Sequence, residues 1–186
     1  YLNVFNWQAL AFLREQGAQG VVLSPELTLR QVEAIAGESP LPVEVLVHGR
    51  LPLMVSEYCA VGAVLGGMTA GRACSVPCRG RRFALRDRQG VLFPLCPDSA
   101  CRMHVFNSQE LVMLRFLPAL VRAGVAGLRI EARLEDASAV FRVTRVYRQV
   151  LDAALEGVYK RVSEEVEAEL VNGAGFTRGH YFRGVV

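Results

Sequence analysis

The chain has five cysteines in 186 residues. Three of them, Cys59, Cys74 and Cys78, fall in one glycine-rich stretch, VSEYCAVGAVLGGMTAGRACSVPC (55–78), that offers little other polar chemistry. Cys96 and Cys101 follow closely. Thiolates bind metal, exchange disulfides or act as nucleophiles, whereas neutral thiols simply pack as small apolar groups. A structural zinc site wants paired knuckles of short spacing. Only Cys74/Cys78 qualifies, with Cys96/Cys101 as a looser second pair. An iron–sulfur cluster tolerates wider spacing, because its thiolates converge from separate loops. Glycines at 62, 66, 67 and 71 allow the tight turns and close N–H approach that cluster sulfurs need. The spacing therefore favours metal, iron–sulfur ahead of zinc, with buried packing thiols as the plain alternative.

A second set of polar residues falls at the ends of apolar runs. These are Asn6, Ser24 and Glu26, His48 and Arg50, Asn107, and Glu131 with Arg133. In parallel α/β folds the carboxyl ends of strands carry the chemistry. Together they predict a polar pocket, although loop ends are polar in any case. His48 closes a strand beside Gly49 and suits a substrate contact; a satisfied structural histidine is the competing reading. Glu131 is the candidate acid or base and Arg133 the group that orients an anion. Asn6, Glu26, Arg50 and Asn107 are candidate substrate contacts. His104 lies inside a strand and reads as a packing or hydrogen-bonding group. His180, in RGHYFRG, sits in a tail that either closes over the pocket or covers the far end.

The elements that must position these groups alternate between strands and helices. LNVFN (2–6), GVVLS (20–24), VEVLVHG (43–49), MHVFN (103–107) and GLRIEA (127–132) read as strands. Helices are predicted from Trp7 to a stop at Gly17, over 28–37 behind Thr28, over 108–124 behind Ser108, and over 136–157. FALRDRQGVLFPL (83–95) reads as a hairpin turning at Arg88-Gln89-Gly90. The fold class is α/β, with parallel strands under covering helices. Five strands make part of a TIM-type (β/α) barrel, which needs eight, or a doubly wound sheet. No G-x-G-x-x-G follows the first strand, against dinucleotide binding. The expectation is a single α/β domain over 1–186, the C-terminal part of a larger barrel, with a cysteine-rich insert and hairpin at 50–101. Tyr1 leading straight into a strand suggests that more chain precedes it, and a second chain is another way to complete the barrel.

Composition narrows the class. At 52% hydrophobic and 21% charged the chain can bury a core and is not disordered. A net charge of +3 permits a polyanionic partner without requiring one. No apolar run is long enough to span a bilayer, and YLNVFNWQAL has no secretory pattern, so no membrane partner and a cytoplasmic location are expected.

Several segments carry a family resemblance: VEVLVHGRLPLMVSEYCAVG, GRACSVPCRG, DRQGVLFPLCPDSACRMHVFNSQEL, GLRIEARLEDASAVFRVTRVYR and FTRGHYFRG. Together they resemble the C-terminal part of the barrel-type domain in the collagenase-like peptidase family U32. The resemblance covers essentially the whole chain. It implies relatives labelled proteases, several of which act as oxygen-independent hydroxylation proteins holding a 4Fe-4S cluster. Their substrates are transfer or ribosomal RNA pyrimidines or ubiquinone precursors. It also implies that Cys59, Cys74 and Cys78 are cluster ligands. Pro52 stands where many relatives have a further cysteine, and by resemblance to the subgroup lacking that cysteine, Cys101 rather than Cys96 becomes the fourth.

Three functions follow as expectations. The first is an iron–sulfur protein that hydroxylates RNA or another aromatic substrate. The second is a peptidase, as the family label says, although neither H-E-x-x-H nor a local cysteine-protease signature is present. The third is a non-catalytic RNA-binding scaffold with a structural metal such as zinc, using Arg142, Arg145 and Arg148 along one helix face; such a stripe is most often only solvated.

Overall fold

The structure, a computed structural model, describes residues 3–69, 71–171 and 175–184. In chain order the elements are α1 (Trp7–Glu15), β1 (Val21–Val22), α2 (Leu29–Glu38), β2 (Val43–Ser56) and α3 (Ala60–Leu65). Then come β3 (Phe83–Arg86), β4 (Leu92–Pro97), β5 (Met103–Val112) and a short 3-10 turn, Leu114–Phe116. The last are α4 (Leu117–Arg122), β6 (Gly127–Ile130), α5 (Ala137–Leu155), α6 (Glu164–Ala168) and β7 (Phe176–Thr177).

The seven strands form one mixed, open sheet in the order β1-β2-β5-β4-β3, with β6 on β2 and β7 on β5. The α/β class expected from the alternation is present. Pairing is parallel for β1/β2, β2/β6 and β5/β7. It is antiparallel for β3/β4, which is the expected hairpin, and also for β4/β5, where the strand at 103 was expected to pair in parallel. The physical reason is connection length: the tight turns at 87–91 and 98–102 can only reverse the chain, whereas parallel strands need long crossovers.

The trace divides into two compact units, Tyr1–Gly49 with Glu110–Val186, and Arg50–Gln109. β2 and β5 each run from one unit into the other. In the first unit the core gathers Leu10, Leu23, Leu27, Val32, Val45, Val47, Leu111, Leu117, Leu120 and Val143, all buried. In the second a smaller cluster joins Cys59, Val61, Leu95, Met103 and Val105, with Cys78, Phe83 and Phe93 packed against it.

Local rules account for much of this. Asn6 caps α1 by accepting from the Ala9 amide, and Gly17 follows the helix at φ 88°. Thr28 and Gln31 form a reciprocal capping box on α2. Asp136 caps α5 through the Ala139 amide. The hairpin turns where expected: Asp87 Oδ1 accepts from the Gln89 and Val91 amides, and Gly90 has φ 86°.

Two expected elements differ. The helix predicted over 108–124 is instead the second half of β5, then a 3-10 turn and the short α4. Leu111, Val112, Met113 and Leu114 are all buried. A run of four buried residues has no solvent face to give an amphipathic helix, but suits a strand covered on both sides. Sheet pairing completes the override, with Glu110 and Leu111 opposite Phe176 and Thr177, and the Met113 amide bonding the Val47 carbonyl at 3.0 Å. In the strand expected over 2–6, Leu2 lies outside the described residues. Residues 3–5 form no ladder, although Val4 is buried and its carbonyl accepts from the Ser24 amide.

Candidate functional site

The thiol site lies in the second unit. Cys59 precedes α3 and is 8% exposed; its sulfur accepts from the Gly62 amide at 3.3 Å. Cys74 reaches the same place from the following loop, its sulfur accepting from the Val76 amide at 3.3 Å. A Cβ on Gly62 would stand 3.4 Å from both sulfurs, so the two thiols are neighbours across that glycine. On Gly66 a Cβ would come within 2.3 Å of the Cys74 sulfur and 2.7 Å of the Gly62 carbonyl oxygen. Glycine at 66 is therefore what lets Cys74 approach. Amide donors aimed at sulfur stabilise thiolate, the form that binds metal.

The remaining cysteines are placed differently. Cys78 is half-buried and packs against the cluster that contains Cys59. Cys96 is in β4 opposite His104, while its neighbours Leu95 and Val105 face the apolar cluster; strand alternation sends Cys96 to the other face. Cys101 is exposed, at φ 62°, in the turn closed by its amide on the Asp98 carbonyl. All five thiols are free. Among the described residues no three histidine, cysteine or acidic side chains converge closely enough to hold a metal ion. The donor chemistry and the glycine cradle suit a thiolate-bound metal, but the arrangement brings together one pair of thiols rather than four.

The turn beside Cys101 is tightly held. Asp98 accepts from the Ala100 and Arg102 amides and from the Arg102 guanidinium, with the His104 ring 3.3 Å away. Burial would raise its pKa, but these hydrogen bonds outweigh that and lower it to about 2. Arg50 donates to the Asn107 carbonyl at 3.1 Å and to that of Ser108. The Asn107 side chain accepts from the Gln109 amide. Both are thus engaged in shaping β5.

In the first unit β2 and β6 run parallel, and the pairing slips between Leu46 and His48. Two tyrosines meet the carbonyls at the slip. Tyr147 donates to Val47 at 2.8 Å and Tyr181 to Leu46 at 2.6 Å. Burial raises both phenol pKa values well above normal, so both remain protonated donors. Tyr181 also fixes the tail, and the His180 ring lies 3.0 Å from the Gly184 carbonyl, so this segment is docked on β2.

His48 follows the slip. It is 2% exposed, stands edge-on to Tyr147 at 5.3 Å, and has its Nε2 3.6 Å from Glu110 Oε2. Neither ring nitrogen has a hydrogen-bond partner among the described residues. The His48 carbonyl accepts from the Glu131 amide at 2.9 Å, bringing the two strand ends together. Gly49 turns at φ 106°, where a Cβ would lie 2.1 Å from the Glu131 carbonyl oxygen. Glu131 accepts twice from the Arg133 guanidinium, at 2.8 Å each, and once from its amide. Burial pushes the Glu131 carboxyl up, but the Arg133 hydrogen bonds prevail and its pKa is lowered. It is a carboxylate at neutral pH, suited to holding a guanidinium rather than delivering a proton.

His48, Glu131 and Arg133 therefore share one strand-end region. Asn6 serves as a helix cap, and Glu26 is exposed with its amide bonded to the Ser24 hydroxyl. Glu110, the buried carboxylate facing His48, was not singled out from the sequence. Reading 108–124 as a helix hid it; the signal available was an acidic residue immediately before a continuous apolar run.

Fold and site thus define a mixed-sheet α/β protein with a glycine-cradled thiol pair and a separate strand-end histidine–carboxylate group. The family model described as Peptidase family U32 matches residues 1–184, and the chain belongs to that family. It is similar to the 23S rRNA 5-hydroxycytidine C2501 synthase of Escherichia coli (strain K12), 34% identical over 78% of this chain and 21% of that protein. It is also similar to tRNA hydroxylation protein P1 of Bacillus subtilis (strain 168), 24% identical over 81% of the chain and 36% of the relative. A protein named collagenase from Porphyromonas gingivalis (strain ATCC BAA-308 / W83) is 28% identical over 97% of the chain and 46% of the relative. The chain spans less than half the length of each of these relatives. No solved structure matches it.

Proposed function

We propose that this chain is a section of an RNA-modifying protein, acting in oxygen-independent hydroxylation of a nucleobase, and that its open sheet is part of a (β/α) barrel. The observation that carries the reading is the Cys59–Cys74 pair, held by amide donors in a cradle that only glycine at 66 permits, in a chain whose relatives include proteins named for rRNA and tRNA hydroxylation. Cys59 and Cys74, with Cys78 and Cys101, are the residues proposed to hold an iron–sulfur cluster, which supplies one-electron chemistry when bound. Cys78 and Cys101 must move toward the pair to join it. The Gly62 and Val76 amides donate to the first two sulfurs and hold them in place. In the first unit, Arg133 orients an anionic group of the substrate while Glu131 fixes that guanidinium. His48 offers a buried ring nitrogen for a hydrogen bond.

The test is iron and sulfide analysis, with absorption and electron paramagnetic resonance spectra, on the full-length natural protein purified without oxygen. About four irons per chain are expected, falling sharply in Cys59→Ala and Cys74→Ala. Colourless protein carrying zinc on intact thiols overturns the cluster.

The collagenase-named relative favours a second reading, peptidase action. A cysteine peptidase needs a thiol within reach of a histidine, and among the described residues no thiol bonds an imidazole. Casein or gelatin cleavage by the pure protein, lost in a single Cys→Ala variant, would establish it.

A further inference from the structure

The charge of this chain is unevenly distributed. Residues 50–109 hold eight arginines and no lysine against Glu57, Asp87 and Asp98, a net of +5, whereas the whole chain has +3. The other unit is therefore net negative. Six of the arginines, Arg72, Arg79, Arg81, Arg82, Arg86 and Arg88, are exposed and follow one another from the thiol loop through β3 to the hairpin turn. None has an acidic partner among the described residues. Asp98 is taken by Arg102 and His104, and Asp87 by the hairpin amides.

Folding alone does not call for this arrangement. Like charges on one small unit repel, and the repulsion is relieved when a polyanion binds. β3 ends the strand order, and a charge on an edge strand discourages edge-to-edge pairing. Arg86 would be enough for that, and Arg72, Arg79, Arg81, Arg82 and Arg88 lie outside the strand.

The residue type indicates the partner. Guanidinium pairs with phosphate through two parallel hydrogen bonds and stacks on flat rings, which ammonium does not. Tyr58, 62% exposed in the same unit, adds an aromatic face on which a base can stack. An anionic membrane surface would call for a basic amphipathic helix, but the helix of this unit, α3, is the uncharged AVGAVL.

We infer that the arginines between residues 72 and 88 form the surface that grips the phosphate backbone of single-stranded RNA, which deepens the RNA reading above and rests on it. The α5 stripe is the weaker candidate. It belongs to the net-negative unit, and Arg148 is already paired with Asp152.

Fluorescence anisotropy of a labelled single-stranded RNA oligonucleotide, titrated with the full chain at several salt concentrations, tests this. Joint Arg81→Glu, Arg82→Glu and Arg86→Glu substitution should weaken binding by on the order of 100-fold and flatten the log–log salt slope by about 2, since each single-strand phosphate contact contributes about 0.7. Lysine at the same three positions should keep the slope. Arg142→Glu with Arg145→Glu should change affinity less than about threefold. Matching urea midpoints establish that the variants fold. Unchanged affinity and slope in the triple glutamate variant overturn this surface and leave the RNA reading standing, as does a loss confined to the α5 variant. No RNA binding by the unaltered chain overturns both. Binding to vesicles of anionic phospholipid in place of RNA overturns the choice of partner.

Discussion

The Cys74 sulfur occupies the space that a side chain on Gly66 would need, 2.3 Å from where its Cβ would stand. Gly66 is followed by Gly67, which has φ 65° and open space around it. Two adjacent glycines thus serve different ends, one making room for a sulfur and the other allowing the turn.

Gly66→Ala should therefore displace Cys74 and cost about 1–3 kcal/mol of stability through overpacking. The specific readout is thiol chemistry: Cys74 should react faster with a thiol reagent, and bound metal should fall. Gly67→Ala should lose about 1–2 kcal/mol from its left-handed backbone and leave Cys74 reactivity unchanged. Equal reactivity in the two variants would refute the cradle.

At Gly49 both constraints coincide, with φ 106° and a Cβ position 2.1 Å from the Glu131 carbonyl oxygen. Backbone cannot yield as a side chain can. Gly49→Ala should cost more than about 4 kcal/mol, read as urea unfolding at a much lower midpoint or failure to fold. Gly20→Ala, whose nearest contact is 3.4 Å, should be mild by comparison.

Glu167 is fully buried between two arginines. It accepts from Arg178 at 2.8 and 2.6 Å and from the Arg115 amide at 3.1 Å. Glu167→Ala leaves the poorly exposed Arg178 guanidinium without its carboxylate, while Arg115 keeps Glu164, and should cost about 3–5 kcal/mol. Loss of less than about 1 kcal/mol in urea titration would mean that water replaces the carboxylate easily.

The Glu131–Arg133 contact predicts a pH dependence. The folded pKa of Glu131 lies below the ordinary 4.5, so the contact stabilises the fold above that pH. The contribution is lost as pH falls through the lowered folded value. In Arg133→Ala stability at neutral pH should be lower and should fall less steeply below about pH 4.5, so that the variant and the unaltered chain converge in acid. Urea midpoints measured at stepwise pH below neutrality check this, and superimposable acid limbs would show that the arginine does not hold the carboxylate.

Much of the local structure was legible in the residues. The cap at Thr28, the hairpin turn at Arg88-Gln89-Gly90 and the stop at Gly17 depend on bonds or dihedrals within a few positions of chain, as does the capping by Asn6, which was read as a substrate contact. The segment after Asn107 was not legible in that way. Ser108 is a good helix cap, but the Arg50 guanidinium on the Asn107 and Ser108 carbonyls and the pairing with β7 keep it extended. Its strand character is a property of its partners.

The same division holds for the sites. By itself the sequence determined which groups are available: thiols among glycines, a histidine and carboxylates at the ends of apolar runs, and a cluster of arginines, because side-chain chemistry and local turn preference belong to each residue. Only tertiary structure decided which of them meet. It placed Cys74 against Cys59 and turned Cys96 to the opposite face, and it set Glu110 against His48. The meeting of Glu110 with His48 depends on strands far apart in the chain, whose register is fixed by burial over the whole sheet; the thiol pair depends on the loop after α3 folding back over Gly62 and Gly66.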